Sequence, residues 1–279
     1  MLPKARPENA RPFGPLISKW RRARGKSQLD LALDAEVSAR HLSFLETGRA
    51  NPSRQMVLNL AAVLDVPHRE RNGLLVAAGF APVYGESDLE APGIEPFRRA
   101  IDLILGHQEP YPAVVMNRHW DIVRANGAAE QFFDLLLAGA ATPEGPANVL
   151  RLMFHPSGLR PFVANWESVA EALIQRVYRE ALGGVLDEAL EALLREVSAY
   201  PEVPARLRRP DLTRALEPLV KIHFSKEGLS FSYFSTVTTL GTAQDVGLQE
   251  LRIECFFPAD RETEIAAEKL RAERQGSPG

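Results

Sequence analysis

Two short helical stretches, each opened by a serine and only a few residues apart, constrain this chain most. Ser27 precedes one stretch, and Asp30 stands three residues later, the spacing of a capping box. The spacing predicts a helix over about Gln28–Ala35, a break at Glu36 and Val37, and a second helix from Ser38 to about Glu46, ended by Gly48. Ala32 is small enough to let two helices cross closely. Ala35, Val37, Leu42 and Leu45 fall where such a pair buries its apolar side chains. Ala39, Arg40, Ser43 and Phe44 are left on the outer face of the second helix, which has the size that fits a major groove.

Three further helices complete the bundle. One begins at Pro15 and stops at Gly25. Another follows Ser53, with Met56, Leu60 and Leu64 at helical spacing, and a last one carries Leu74, Leu75 and Ala78 up to Gly79. Residues 1–14 hold three prolines and read as an arm without regular structure; residues 15–80 read as one helical domain. Charge follows the same division. Residues 1–80 carry 13 Lys or Arg against 7 Asp or Glu, whereas the rest carries 20 against 29. A basic front ahead of an acidic remainder favours a polyanion partner at the front only.

Within this region, Gln28-Leu-Asp-Leu-Ala32-Leu-Asp-Ala35-Glu36-Val37-Ser38-Ala-Arg40-His-Leu42-Ser-Phe-Leu45-Glu46-Thr-Gly48, followed by Asn51-Pro52-Ser53, resembles the Cro/C1-type helix-turn-helix of the Xre family. The resemblance implies binding to double-stranded DNA. Gln28, Ala39, Arg40 and Ser43 would face the bases, and Lys26, Ser27, Arg49, Asn51 and Arg54 would contact phosphates. Among these Arg40 suits bidentate pairing with guanine. The family often has Gly where this chain has Glu36. Glycine adopts a positive φ freely, and a glutamate there does so only with strain.

Residues 81–93 are rich in Pro, Gly and acids and read as a linker. Beyond them helix and strand signals mix. A helix is expected from about Ile94 to Gly106, then strands over Tyr111–Met116 and Trp120–Arg124, with Asn126 able to cap the next helix. Long helical patterns run from about Trp166 to Leu182 and from Leu186 to Tyr200, with a break over Pro201–Pro210. Three strand candidates close the chain: Leu219–Phe224, Leu229–Leu240 and Leu248–Phe257. Lys226-Glu227-Gly228 forms a tight turn between the first two, and Asp260 onward is expected to be a charged, frayed end, with 263–279 a polar tail.

Four stretches of this part, which covers about residues 95–260, resemble the ligand-binding domain of MmyB-like transcription regulators. They are Asn117–Asn126, Asn148–Pro156, Asn165-Trp166-Glu167 with Arg176, and Phe234–Thr242 running to Leu251–Pro258. The two resemblances imply an all-α helix-turn-helix bundle followed by an α+β, PAS-like domain over 94–262, an antiparallel sheet with flanking helices. They also imply a dimeric regulator whose second domain holds a small apolar ligand, with fatty acids as candidates. Trp120, Phe132, Phe133, Met153, Phe154, Trp166, Phe231 and Phe234 could line a cavity, although each taken singly reads first as core. Arg151, Arg176, His155 and Tyr178 could meet a carboxylate head group. Arg252 and Glu254 read as a cross-strand or surface pair, and His155-Pro156 as a helix end.

Other chemistry finds little purchase. The chain lacks a P-loop, a His-Glu-x-x-His pair and a Gly-x-Ser-x-Gly elbow. Its six histidines show no metal spacing. The single cysteine, Cys255, cannot form an intrachain disulfide, which fits a reducing compartment. Absence of a long apolar run argues against a membrane span, and the polar N-terminus against a secretory signal; both suggest the cytoplasm. The expectation is therefore a non-enzymatic regulator without a metal or resident cofactor. Its partners would be an operator, a second copy and the transcription machinery. The alternative is a DNA-bound scaffold whose second domain binds another protein and no small molecule.

Overall fold

A computed structural model of the chain describes residues 12–139, 145–182, 188–208, 219–241 and 244–276. The expected N-terminal arm, the start of the second long helix at Leu186 and the proline break as far as Pro210 fall wholly or partly outside the described residues. The chain divides into two compact units. The first comprises residues 12–87 together with 244–249, and the second comprises the described residues from Asp88 onward, apart from 244–249.

In the first unit, five helices enclose a single apolar cluster: α1 Phe13–Ala23, α2 Gln28–Asp34, α3 Ala39–Glu46, α4 Arg54–Val63 and α5 His68–Ala77. Local chemistry starts three of them. Ser27 and Asp30 make both halves of a capping box, with Asp30 N–H donating to Ser27 Oγ at 3.1 Å and Ser27 N–H to Asp30 Oδ2 at 2.8 Å. Ser38 and Ser53 accept from His41 N–H and Met56 N–H, which opens α3 and α4. The turn between α2 and α3 places Glu36 at φ 56°, the left-handed conformation that the sequence flagged as strained. Ala32 and Ala35 are buried where α2 meets α3, and Asn59 Nδ2 donates to Ala35 O at 2.9 Å.

Segment 244–249 completes this unit with the one-turn helix α11, Val246–Gln249. Asp245 accepts from Ser87 N–H at 3.0 Å and from Ser87 Oγ–H at 2.8 Å, and His68 N–H donates to Gln249 Oε1 at 2.9 Å. A strand beginning at Leu248 was expected here. The strand starts at Arg252 instead, because 246–249 are spent on this turn.

The second unit is α+β. Its helices are α6 Glu95–Gln108, α7 Gly127–Leu137, α8 Val149–Phe154, α9 Trp166–Leu182, α10 Glu188–Ala199 and α12 Arg261–Gly276. Its strands are β1 Ala113–Met116, β2 Ile122–Ala125, β3 Lys221–Lys226, β4 Leu229–Thr238 and β5 Arg252–Pro258. They form a five-stranded antiparallel sheet in the order β2-β1-β5-β4-β3, which is the PAS-like arrangement with flanking helices. Register puts Val114 opposite Glu254, Met116 opposite Arg252 and Ser235 opposite Phe256, so these side chains share one face. Lys226 pairs with Leu229 across Glu227 and Gly228, both at positive φ, as a two-residue hairpin turn requires.

The expected frayed end is a helix. Asp260 Oδ1 accepts from Thr263 N–H at 2.9 Å and starts α12, which packs on β4 and α7 through buried Thr263 and Ala267, and through Leu270. Small residues on the buried face of an otherwise charged stretch hide the amphipathic pattern.

Candidate functional site

The first unit presents the outer face of α3. Leu42 and Leu45 are fully buried and fix the rotation of the helix, so Arg40 stands exposed near its N-terminus. The Arg40 guanidinium lies 5.4 Å from the centre of the Phe44 ring, one turn on. Ala39 and Ser43 are partly exposed on the same stretch. Ser27, Arg49, Asn51 and Arg54 are exposed around it.

Besides Ser27, whose hydroxyl caps α2, two members of the predicted set have a side-chain hydrogen bond or ion pair within the unit. Gln28 Nε2 donates to Glu46 Oε2 at 2.8 Å, and Lys26 Nζ is 2.6 Å from Asp34 Oδ2. Arg21, read from the sequence only as a helix-end charge, is buried and holds Glu46 in a bidentate pair at 2.6 and 2.9 Å. Burial pushes the Glu46 carboxyl up, but hydrogen bonds from Arg21 and Gln28 outweigh it and leave the group below its ordinary range. Nothing local in the sequence distinguishes Arg21 from its neighbours Arg22 and Arg24. The signal is its distant partner at the end of α3.

In the second unit, the inner sheet face and α7, α8 and α9 enclose an apolar cavity of about 50 Å³. Val114, Ile122, Ile222, Phe224 and Phe256 line it from the sheet, and Phe132, Phe133, Leu152, Met153 and Leu173 from the helices. Glu254 on β5 is the charged residue of the lining. Of the ten predicted ligand residues, Phe132, Phe133 and Met153 reach this cavity.

The other seven lie elsewhere. Phe154 packs edge-on to Trp166 at 5.6 Å, and Trp166 Nε1–H donates to Met153 O. His155 meets the Tyr200 ring edge-on, and its Nδ1 accepts from Ser157 N–H. Phe231 belongs to the aromatic cluster around Phe132. Phe234 stacks on Phe257, on the sheet face opposite to Ser235 and Phe256. Arg176 bonds Glu254 of the lining and lies over the Trp120 ring, and neither Arg176 nor Trp120 lines the cavity. Arg151 is committed to a bidentate pair with Glu196.

Arg252 and Glu254 do not pair as a simple cross-strand couple. Arg252 bonds Glu180 and the carbonyls of Asn117 and Arg118, whereas Glu254 takes Arg176 and Ser235. Asn126 is the expected cap: its Oδ1 accepts from Ala129 N–H and from Ala113 N–H, both at 2.9 Å. A larger cleft of about 490 Å³ lies between α9 and α10, where Leu194 and Ala199 line it together with Tyr178, Glu191, Arg195 and Arg208.

Among the described residues no group of three His, Cys, Asp or Glu could hold a metal, and no helix is long and apolar enough to cross a membrane. Burial pushes the Cys255 thiol up, so it is a poor thiolate.

Comparison with known proteins matches residues 97–270 to the family of the MmyB-like transcription regulator ligand binding domain, and residues 17–71 to a helix-turn-helix family. No curated protein matches the chain. Among solved structures, it has a likeness to a chain titled "Structure of an RNA-binding Light-Oxygen-Voltage Receptor", at 14% identity and a TM-score of 0.28. The alignment takes in 94% of this chain and 61% of that one, at a level too low to inform fold or function.

Proposed function

This chain belongs to the MmyB-like transcription regulators, and from that premise we propose that it is a DNA-binding regulator whose second unit senses a small apolar molecule, a fatty acid or a similar compound. The observation that carries the DNA-binding reading is the outer face of α3. Two buried leucines fix it, and Arg40 stands exposed near its N-terminus, where a recognition helix contacts base edges. The protein acts as a homodimer in the cytoplasm, two such helices reading a near-palindromic operator. The apolar cavity holds the signal, and binding shifts the fraction of molecules competent for the operator.

The test is native mass spectrometry of the gently purified full chain, with denaturing extraction of whatever copurifies. A dimer carrying an apolar molecule, whose removal changes the affinity for selected DNA, supports the proposal. A monomer that selects no sequence from a random DNA library overturns it.

One observation favours a second reading, a scaffold whose second unit binds another protein. The free volume of about 50 Å³ is smaller than any acyl chain, so a ligand has to displace side chains around it. If no small molecule binds, that reading takes precedence.

A further inference from the structure

Three features meet at Trp120, and core packing accounts for none of them. Its backbone is left-handed, at φ 68°, a conformation that a bulky residue adopts only under constraint. Asn117 imposes it: Asn117 Oδ1 accepts from His119 N–H and Asp121 N–H, and Asn117 O accepts from Trp120 N–H. The ring is fully buried, yet its Nε1–H has no acceptor. Finally, two guanidinium groups lie over this one indole, that of Arg176 at 4.7 Å and that of Arg252 at 4.9 Å. The Nη2 of Arg176 is likewise buried without an acceptor. Buried donors are normally paired, so two orphans in one stack mark a place where an acceptor belongs.

The surrounding charges say what kind of acceptor. Glu180 bridges Arg176 and Arg252. Glu254 accepts from Arg176 Nη1 at 3.3 Å and from Ser235 Oγ–H at 2.5 Å. Two cations thus face two carboxylates, and the cluster is already balanced. An added carboxylate would bring a third negative charge next to Glu180 and Glu254, with both guanidinium groups already paired, into a site that is only partly open to water, which is costly. A neutral oxygen would satisfy both donors without that cost. Glu254 joins the cluster to the apolar cavity, whose lining it shares, and Leu173 of the lining stands one turn before Arg176 on α9.

We propose that Trp120 Nε1 and Arg176 Nη2 form a polar subsite beside the cavity, reached past Glu254 of its lining, and that the ligand is an uncharged amphiphile presenting a carbonyl oxygen to them, not an ionised fatty acid. This rests on the reading of the cavity as the ligand site.

The test compares three probes of equal chain length on the full protein at pH 8, by displacement of Nile red: 2-decanone, decanoate and decane. The expected result is that 2-decanone binds roughly tenfold more tightly than decane, the effect of hydrogen bonds to buried donors, one of them charged. Decanoate is expected to bind more weakly than 2-decanone. Trp120→Phe keeps the ring and removes the N–H, and should reduce the preference for 2-decanone over decane, both measured on the same variant. Arg176→Lys, which keeps the charge and removes Nη2, provides a second readout should Trp120→Phe fold poorly. Tightest binding by decanoate overturns the neutral-ligand assignment. Equal binding of 2-decanone and decane, or a preference that survives both substitutions, overturns the subsite while leaving the cavity reading intact. Binding of none of the three removes the cavity reading, and this inference with it.

Discussion

Arg21 holds Glu46 through two parallel bonds, Nε to Oε1 at 2.6 Å and Nη2 to Oε2 at 2.9 Å, so the end of α3 is fastened to α1 by a nearly buried ion pair. Removing one partner leaves the other charged and desolvated. Glu46→Ala is expected to lower the stability of the first unit by about 3 kcal/mol, read by urea denaturation. Replacing both residues together with apolar side chains of similar volume should cost much less. If the single and double variants lose the same amount, the pair is not the reason.

The same carboxyl makes a pH prediction. Glu46 titrates below its ordinary range, since the bonds from Arg21 and Gln28 outweigh burial. A group depressed in the folded state contributes stability above its unfolded pKa, about 4.3 for glutamate, and the contribution is lost as pH falls through the folded value. Thermal melts of wild type should therefore fall more steeply below about pH 4.3 than those of Glu46→Gln, although the variant starts lower at pH 7. Parallel curves would rule the linkage out.

Glu36 sits at φ 56° in the turn between α2 and α3. Glycine carries no steric penalty there. Glu36→Gly should stabilise the unit by about 0.5–1 kcal/mol, the left-handed penalty less the extra freedom of glycine in the unfolded chain. Glu36→Val should do the opposite. Denaturation midpoints of the two variants check both signs.

If the outer face of α3 reads bases, Arg40 and Arg49 differ in kind. Arg40→Ala should relax the preference at one base position and lose about 1–3 kcal/mol on selected DNA. Arg49→Ala should weaken all sequences alike and reduce the slope of log affinity against log salt by about 1. Competition binding at several salt concentrations separates the two, and identical behaviour of the variants would count against a base-reading role for Arg40.

Phe132 meets Phe224, Phe231 and Tyr233 edge-on at 5.0–5.6 Å while lining the cavity. Phe132→Ala should cost about 3–5 kcal/mol and enlarge the free volume. A copurifying apolar molecule or a gain in Nile red binding would show that the space is used. A loss below 1 kcal/mol would show that the site collapses around the gap.

What the sequence disclosed was local. Ser27, Ser38 and Asn126 cap helices through bonds to the residue three positions on, so their roles are readable from spacing. The strain at Glu36 was readable through the helix-turn-helix resemblance, whose turn often carries Gly at that position. What stayed hidden depends on partners far along the chain. Arg21 finds Glu46 25 residues away, and the Trp120 cluster draws Arg176 from α9 and Arg252 and Glu254 from β5. Phe234 stands away from the cavity for a different reason. In a strand, neighbours point to opposite faces, so a residue one position from Ser235 faces away from the cavity however aromatic it is. The small inward side chains of α12 concealed a helix that charge alone made look like a tail.

The first unit is discontinuous, and during synthesis that becomes a matter of timing. Ser87 leaves the ribosome 158 residues ahead of its partner Asp245, and His68 leaves 181 ahead of Gln249. At ~5–20 residues per second, the helices at the front wait roughly ten to thirty seconds for the segment that finishes them. The unit that starts earlier is thus completed only after most of the second unit has been translated, with β5 and α12 still to come.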